Sequence, residues 1–108
     1  MNNRYINIKR NKTFVASLMK VKFYIQVSAN PDLVINNVPC RFLGELKNGE
    51  ENKFIIGRNG GQLFAIIDTV SKDVCNDSIM IPEGDNEIFV TGKNKFNPLV
   101  GNPFKFDK

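Results

Sequence analysis

Residues 33–56 constrain the fold of this chain more than any other segment. Their short apolar runs are interrupted by two turn pairs, Asn36-Asn37 and Asn48-Gly49. Asparagine and glycine tolerate the positive φ angles of a type I′ turn, so each pair predicts a hairpin between two strands. The segment therefore indicates a small antiparallel β protein, although it indicates no chemistry.

Two further patterns extend this interpretation to the rest of the chain. Val21, Phe23 and Ile25 alternate with polar residues, which is the period of a strand with one buried face. Residues 63–67 are apolar without a break, as expected for a strand that is covered on both faces. Turn residues recur roughly every 8–12 positions, the spacing of sandwich and barrel proteins.

The predicted architecture is a single all-β domain over residues 1–108, because a chain of this length forms one hydrophobic core. We expect an antiparallel β-sandwich of about seven strands with little or no helix. Residues 93–108 are expected to form an irregular C-terminal tail that packs on the domain.

The absence of histidine restricts the possible chemistry. It excludes Ser-His-Asp and Cys-His nucleophile systems, His-based acid–base catalysis and His-ligated metals. Cys40 and Cys75 belong to no Cys-x-x-Cys pair, so neither a zinc site nor a thioredoxin-type site is expected. The two cysteines could form one disulfide; we predict instead two partly buried thiols in a reducing compartment. No cofactor and no metal are expected.

Residues 13–27 are apolar enough to suggest a targeting or membrane-spanning segment. Lys20 and Lys22 interrupt them, whereas a signal peptide needs an unbroken apolar run of about 7–15 residues and a spanning helix about 20. The sequence therefore predicts a cytoplasmic protein without a transmembrane segment.

Charge is distributed unevenly along the chain. Residues 1–31 hold six basic residues and no acid, residues 32–90 hold five basic and ten acidic residues, and residues 91–108 hold four basic and one acidic. The ends of a domain often lie close together, so the two basic ends could share a face. Ordinary solvated charge that complements the acidic middle is the alternative.

A sheet face that carries lysine and tyrosine together can bind single-stranded nucleic acid, or another anionic surface, through charge and stacking. The residues predicted for such a face occupy the outer phase of two strands and the basic C-terminal end: Tyr5, Lys9, Lys20, Lys22, Tyr24, Lys93 and Lys105.

The tail combines two Asn-Pro turns with apolar residues that could contact a partner protein. The candidates for that contact are Phe96, Pro98, Pro103 and Phe104. In the alternative, which we favour, Phe104 and Phe106 dock back on the sheet.

The turn spacing of residues 33–50 resembles that of small bacterial β-sandwich modules, the PEGA-like and related immunoglobulin- or transthyretin-like modules of uncharacterised proteins. Asn36-Asn37 stands for their first turn, and residues 44–50, GELKNGE, stand for their Asn-Gly-Glu hairpin. Residues 82–84 resemble their Pro-Glu-Gly turn. The resemblance implies a non-catalytic appendage, and it carries over no catalytic residue.

Residues 64–70, FAIIDTV, resemble the Asp-Thr-Gly strand end of retroviral-type aspartic proteases. Val70 replaces the glycine of that motif, and the Gly57-Arg58 pair precedes Asp68 instead of following it. We therefore predict a non-enzymatic binding or structural module of a larger assembly with a protein partner. A polyanion binder is the first alternative, and an aspartyl hydrolase that uses Asp68 is the second.

Overall fold

The computed structural model describes residues 3–14, 19–67, 75–96 and 103–108, and the regular elements in these ranges are all β-strands. This part of the chain contains no helix that could cross a membrane. The all-β prediction is confirmed, although the described strands number nine rather than about seven. They are β1 (Asn3–Arg10), β2 (Val21–Gln26), β3 (Leu33–Ile35), β4 (Val38–Leu46), β5 (Glu51–Gly57), β6 (Gly61–Ile67), β7 (Asp77–Ile81), β8 (Ile88–Asn94) and β9 (Phe104–Phe106).

The strands form two sheets, one with the order β5-β1-β8-β9 and one with the order β3-β4-β2-β6-β7. Every pair in the five-stranded sheet is antiparallel. In the four-stranded sheet, however, β1 runs parallel to β8, which corrects the expectation of a purely antiparallel fold. A parallel pair needs a long crossover connection. Here the whole five-stranded sheet lies between β1 and β8 in the chain.

The Asn36-Asn37 pair forms the predicted hairpin turn. Both residues have positive φ, 51° and 67°, and they join β3 to β4 directly beyond the pair Ile35–Val38. These angles are those of a type I′ turn, whose twist matches that of the strands it joins.

The Asn48-Gly49 pair also forms a turn, in which Glu50 N donates to Lys47 O at 3.0 Å. The predicted hairpin is nevertheless wrong, because β4 and β5 belong to different sheets and β5 pairs with β1. A turn reverses the direction of the chain, but it does not determine which strand pairs with the strand that follows it. That partner is the long strand β1, which pairs with all seven residues of β5.

Residues of both sheets contribute to one hydrophobic cluster. Val21, Phe23 and Ile25 are buried in it, as their alternation predicts. The Phe23 ring meets the Phe104 ring edge-on with centroids 5.5 Å apart, and Phe106 packs on both rings. The expectation that Phe104 and Phe106 dock back on the sheet is therefore confirmed.

A second cluster lies on the other face of the five-stranded sheet. The prediction that residues 63–67 are covered on both faces is confirmed, because all five are buried and Phe64 and Ile66 belong to this second cluster. Cys40 and Cys75 belong to it too, and both are free thiols, as predicted. Burial raises the pKa of each thiol, which keeps both protonated at neutral pH.

The predicted irregular tail, residues 93–108, contains regular structure at both ends of its described part. Lys93 and Asn94 complete β8, and Phe104–Phe106 forms β9 beside them. The strand forms because the inward phase of β9 carries two phenylalanines that the core buries. A run of three residues is too short for its period to be recognised in the sequence.

Candidate functional site

The seven residues predicted to form one basic face are divided between the two sheets. Four belong to the outer face of the four-stranded sheet: Tyr5, Lys9, Lys93 and Lys105. Three belong to the five-stranded sheet or to the residue before it: Lys20, Lys22 and Tyr24. The outer faces of the sheets point away from the core that they share, so the two groups do not form one surface.

The group on the five-stranded sheet has neighbours typical of ordinary outer-face residues. Lys20 Nζ lies 3.7 Å from the Glu45 carboxylate. The Tyr24 ring lies 5.4 Å from the Phe42 ring and packs against the second cluster. These contacts use the side chains for packing, and they leave Tyr24 half-buried.

Two of the six N-terminal basic residues are not on the surface. Arg10 is fully buried at one end of β1, where its guanidinium closes the space between the sheets. Its Nε donates to Asn94 Oδ1 at 3.0 Å, and one terminal nitrogen donates to Met19 O at 2.6 Å and Leu46 O at 2.9 Å. Burial lowers the pKa of Arg10 from its usual value, but the side chain stays charged at neutral pH.

Arg4 has the same role at the opposite end of β1. Its Nε donates to Gly57 O at 3.3 Å, and a terminal nitrogen donates to Pro82 O. The side chain is buried, so neither arginine contributes a free charge to a binding face.

A group of exposed apolar side chains lies on the outer face of the four-stranded sheet. Tyr5, Ile55 and Phe89 are 48%, 51% and 74% exposed there, and we call these three residues the aromatic patch. Tyr5 lies directly opposite Ile55, and Phe89 lies opposite Asn7, diagonal to Tyr5. Opposite side chains on a sheet are about 5 Å apart and diagonal ones about 7–8 Å, so the three side chains are neighbours on one face.

Polar side chains beside the patch are already paired with one another. Lys53 Nζ lies 4.9 Å from the centre of the Tyr5 ring and 3.5 Å from the Glu87 carboxylate. The Asn7 amide donates to Glu87 and to Ile88 O. The hydrogen bond from Asn7, together with the nearby Lys53, lowers the pKa of Glu87, so this carboxylate is charged at neutral pH.

The next row of the same face also carries both charge signs. Lys9 lies between Glu51 on β5 and Thr91 on β8, and the Thr91 hydroxyl donates to the Asp107 carboxylate. The outer face is thus an apolar patch with a rim of mixed charge. It is not the uniformly basic surface that the charge distribution along the sequence suggested.

Tyr5 was predicted from the sequence, whereas Ile55 and Phe89 were not. In β8 the run Ile88-Phe89-Val90 is apolar on both strand phases. Phe89 could have been predicted to face outward because it alternates in step with Thr91 and Lys93, and polar residues at every second position mark the outer face of a strand. Ile55 has the phase of Lys53 and Glu51 in β5 and could have been found in the same way.

The tail candidates differ in accessibility. Phe104 and Pro103 are buried, so they cannot present an apolar surface to a partner while the domain is folded. Phe96 is exposed, and Pro98 lies outside the described residues.

Asp68, on which the hydrolase alternative depends, lies outside the described residues. Within those ranges no group of three Cys, Asp or Glu residues is arranged to hold a metal ion. A groove of about 840 Å³ lies near the Arg4 end, and Arg41 and Glu83 are the charged residues among the described residues that line it.

In comparisons with known proteins, the chain matches no family model and no curated sequence.

Proposed function

We propose that this chain is a non-enzymatic binding module with a β-sandwich architecture, and that its aromatic patch binds a partner protein. The observation that carries this proposal is the exposure of Tyr5, Ile55 and Phe89 as near neighbours on one sheet face. The opposite face of the same sheet is buried in the core, so the fold does not need these three side chains for its own packing. A cluster of exposed apolar side chains on a folded domain marks an interaction surface.

The sandwich architecture is supported by the two sheets and the single cluster to which both contribute. In such a domain the outer sheet faces are available for contacts with other molecules. The resemblance to PEGA-like and immunoglobulin-like modules points to the same use, a non-catalytic part of a larger assembly.

A protein suits this surface better than a nucleic acid does. The lysines next to the aromatic patch, Lys9 and Lys53, are accompanied by Glu51 and Glu87, so the potential around the patch is close to neutral. Nucleic-acid binding derives most of its affinity from uncompensated positive charge. Protein interfaces instead have an aromatic centre and a polar rim of both signs, which is the arrangement found here.

The expected partner surface is apolar at its centre, with charged residues of both signs around it. Phe89, the most exposed of the three side chains, would enter a pocket of the partner. Tyr5 would contribute its ring face and its hydroxyl, because tyrosine combines an apolar body with a hydrogen-bonding tip.

Site-specific photo-cross-linking tests the proposal. A photoreactive phenylalanine analogue at position 89 is expected to cross-link one protein in the native host, and the same analogue at position 80 is the control. Met80 is 68% exposed and belongs to the other sheet. The captured protein is then purified, and its affinity for the wild-type chain is measured by calorimetry.

Phe89→Ala is expected to weaken that affinity by about 30-fold, the effect of losing an interface anchor. Met80→Ala should leave it unchanged. An affinity that is insensitive to both Phe89→Ala and Ile55→Ala would overturn the proposal. A wild-type dimer in sedimentation that becomes a monomer in Phe89→Lys would identify the partner as a second copy of this chain.

A further inference from the structure

A second surface lies at the end of the molecule that Arg10 closes. Three segments meet there: the residues after β1, the turn between β4 and β5, and the end of β8. Thr13 N donates to Asn48 Oδ1 at 3.0 Å, and Asn48 Nδ2 donates back to Thr13 O at 2.9 Å. Asn11 N donates to Gly92 O at 2.7 Å. These bonds hold the segments together at the end of both sheets.

Positive charge is concentrated on this surface. Lys12, Lys93 and Lys95 are exposed, and none of them makes an ion pair with an acid of the described ranges. The one acid of the adjoining turn is Glu50, whose carboxylate accepts a hydrogen bond from Lys47 N at 2.8 Å and so faces its own turn. The end therefore has the uncompensated charge that the aromatic patch lacks.

Two phenylalanines stand out from the same surface. Phe14 is 102% exposed and Phe96 is 72% exposed. Both line one shallow groove together with Thr13, Lys93, Asn94 and Lys95, and no acid is found among its described lining residues. Exposure of a phenylalanine side chain is unfavourable in water, and here two exposed phenylalanines lie beside lysines. We call Lys12, Phe14, Lys93, Lys95 and Phe96 the basic end.

We propose that the basic end docks the domain on an anionic lipid bilayer. The two phenylalanine rings insert at the boundary between headgroups and acyl chains, and the three lysine ammonium groups lie at the level of the headgroup phosphates. Stable attachment to a membrane surface takes two contributions, apolar insertion and attraction to anionic lipid, and the basic end carries both.

The geometry favours a bilayer over a nucleic acid. The apolar side chains are at the tip of the molecule, on segments that lead into and out of strands, and not in a row along a flat sheet face. A nucleic-acid strand needs an aromatic platform on which successive bases stack. A membrane needs only that apolar tips project together from a basic surface. The aromatic patch would remain free to bind its partner protein, because it lies on the sheet face and not at the end.

Co-sedimentation with vesicles tests this inference. The full chain is mixed with vesicles of phosphatidylcholine alone, or with vesicles in which about 30% of the lipid is anionic phosphatidylglycerol. Binding to each kind of vesicle is measured at low and at high salt. We expect binding to the anionic vesicles, little binding to the neutral ones, and weaker binding at high salt because salt screens the attraction.

Variants assign the binding to the basic end. Lys93→Ala/Lys95→Ala is expected to weaken vesicle binding by about 25-fold, since each lysine near an anionic surface contributes about fivefold. The charge-matched control is Lys20→Ala/Lys22→Ala, which removes two lysines from the other sheet and should change binding by less than about threefold, the effect of net charge alone.

Phe14→Ala/Phe96→Ala distinguishes a bilayer from any other anionic polymer. Loss of two inserted rings should weaken vesicle binding by about tenfold or more at unchanged net charge. Met80→Ala is the exposed apolar control.

Absence of binding to anionic vesicles, or binding that is insensitive to the phenylalanine pair, would overturn the inference. So would tighter binding to a single-stranded oligonucleotide than to vesicles, lost in the Lys93/Lys95 variant, because that result would identify a nucleic-acid site. Thermal unfolding of each variant confirms that it is folded.

Discussion

Phe23 and Phe89 are both phenylalanines in strands, but they differ in what surrounds them. Phe23 is fully buried between the sheets, with its ring in contact with Phe104 and Phe106. Phe89 faces outward, opposite Asn7. The two residues therefore allow core packing and surface function to be separated.

We expect Phe23→Ala to lower the free energy of unfolding by about 3–5 kcal/mol, through lost transfer energy and the cavity that remains. Phe89→Ala should change it by no more than about 0.5 kcal/mol, as for other surface positions. Urea denaturation followed by fluorescence or circular dichroism measures both. Similar losses in the two variants would contradict the separation.

Arg10 holds the end of the core, and its hydrogen bonds include three to oxygen atoms of the described residues that have little access to water. Arg10→Met keeps much of the apolar stem but removes the donors. The expected loss of stability is at least about 2 kcal/mol, because each buried acceptor left without a partner costs about 1–3 kcal/mol. Lys9→Met, one position along and exposed, is the control. A loss no greater than that of the control would show that the buried guanidinium is dispensable.

The burial of Arg4 and Arg10 could be read from the sequence in part. They share the strand phase of Ile6 and Ile8, which alternation correctly predicts to be buried. Arginine is almost never fully buried unless it is paired, so a residue-by-residue analysis assigns it to the surface. Arg10 can be buried because oxygen atoms from β4, β8 and the segment before β2 surround its guanidinium. The sequence does not show that these atoms come together in space.

At the scale of elements, β9 fits beside β8 only because Gly92 has no side chain. A Cβ at position 92 would overlap the Phe104 ring and the Lys105 carbonyl oxygen. We expect Gly92→Ala to lower stability by about 1–3 kcal/mol, the cost of overpacking a core. Gly57→Ala at the end of β5 is the control, since a Cβ there meets no other atom within 4 Å. A neutral Gly92→Ala variant would mean that β9 docks more loosely than described.

Asp77 links β7 to β9, and so links the two sheets. Its carboxylate accepts hydrogen bonds from Phe106 N at 2.8 Å and from Lys108 Nζ at 2.8 Å. Burial raises the pKa of Asp77, but the bonds from Lys108, Phe106 and Ser78 outweigh it, so the net pKa is lowered.

A lowered folded-state pKa means that Asp77 stabilises the fold above its ordinary pKa of about 3.9, and that this contribution is lost as the pH falls through the lower, folded-state value. Wild type should therefore be more stable than Asp77→Asn at pH 6, and the difference should shrink below about pH 4. Denaturation of both proteins from pH 6 to pH 3 measures it. A difference that is constant across that range would exclude a contribution from the charge.

The strands were largely predictable, whereas their partners were not. Alternation in β2, the unbroken apolar run in β6 and the Asn36-Asn37 turn are local signals, and each is confirmed. Pairing of β5 with β1, and of β1 with β8, depends on contacts between distant parts of the chain. For the same reason the aromatic patch, built from β1, β5 and β8, was predicted only at Tyr5.

For the whole molecule, the expected circular dichroism spectrum has a single weak minimum near about 217 nm and a helix content of about a tenth or less, well under the average for globular proteins. The reason is that every regular element of the described ranges is a strand. A spectrum with more than about a quarter helix would contradict the fold.

The two proposed binding surfaces lie on different sides of the molecule. The aromatic patch lies on the outer side of one sheet, and the basic end lies where both sheets stop. A domain attached to a bilayer by its end would hold that sheet face roughly upright, facing sideways along the membrane. A partner bound there would be held next to the membrane and not above it.

The parallel pairing of β1 with β8 also has a consequence for biosynthesis. Arg10 and Asn94, which close one end of the core together, are 84 positions apart in the chain. At a translation rate of about 5–20 residues per second, roughly 4–17 s pass between the synthesis of the two. During that interval β1 can pair with β5 but not with β8. The apolar side chains of Ile6 and Ile8 are therefore only partly buried. Of the described strands, β1 thus stays incompletely covered until β8 has been made, although it precedes all the others in the sequence.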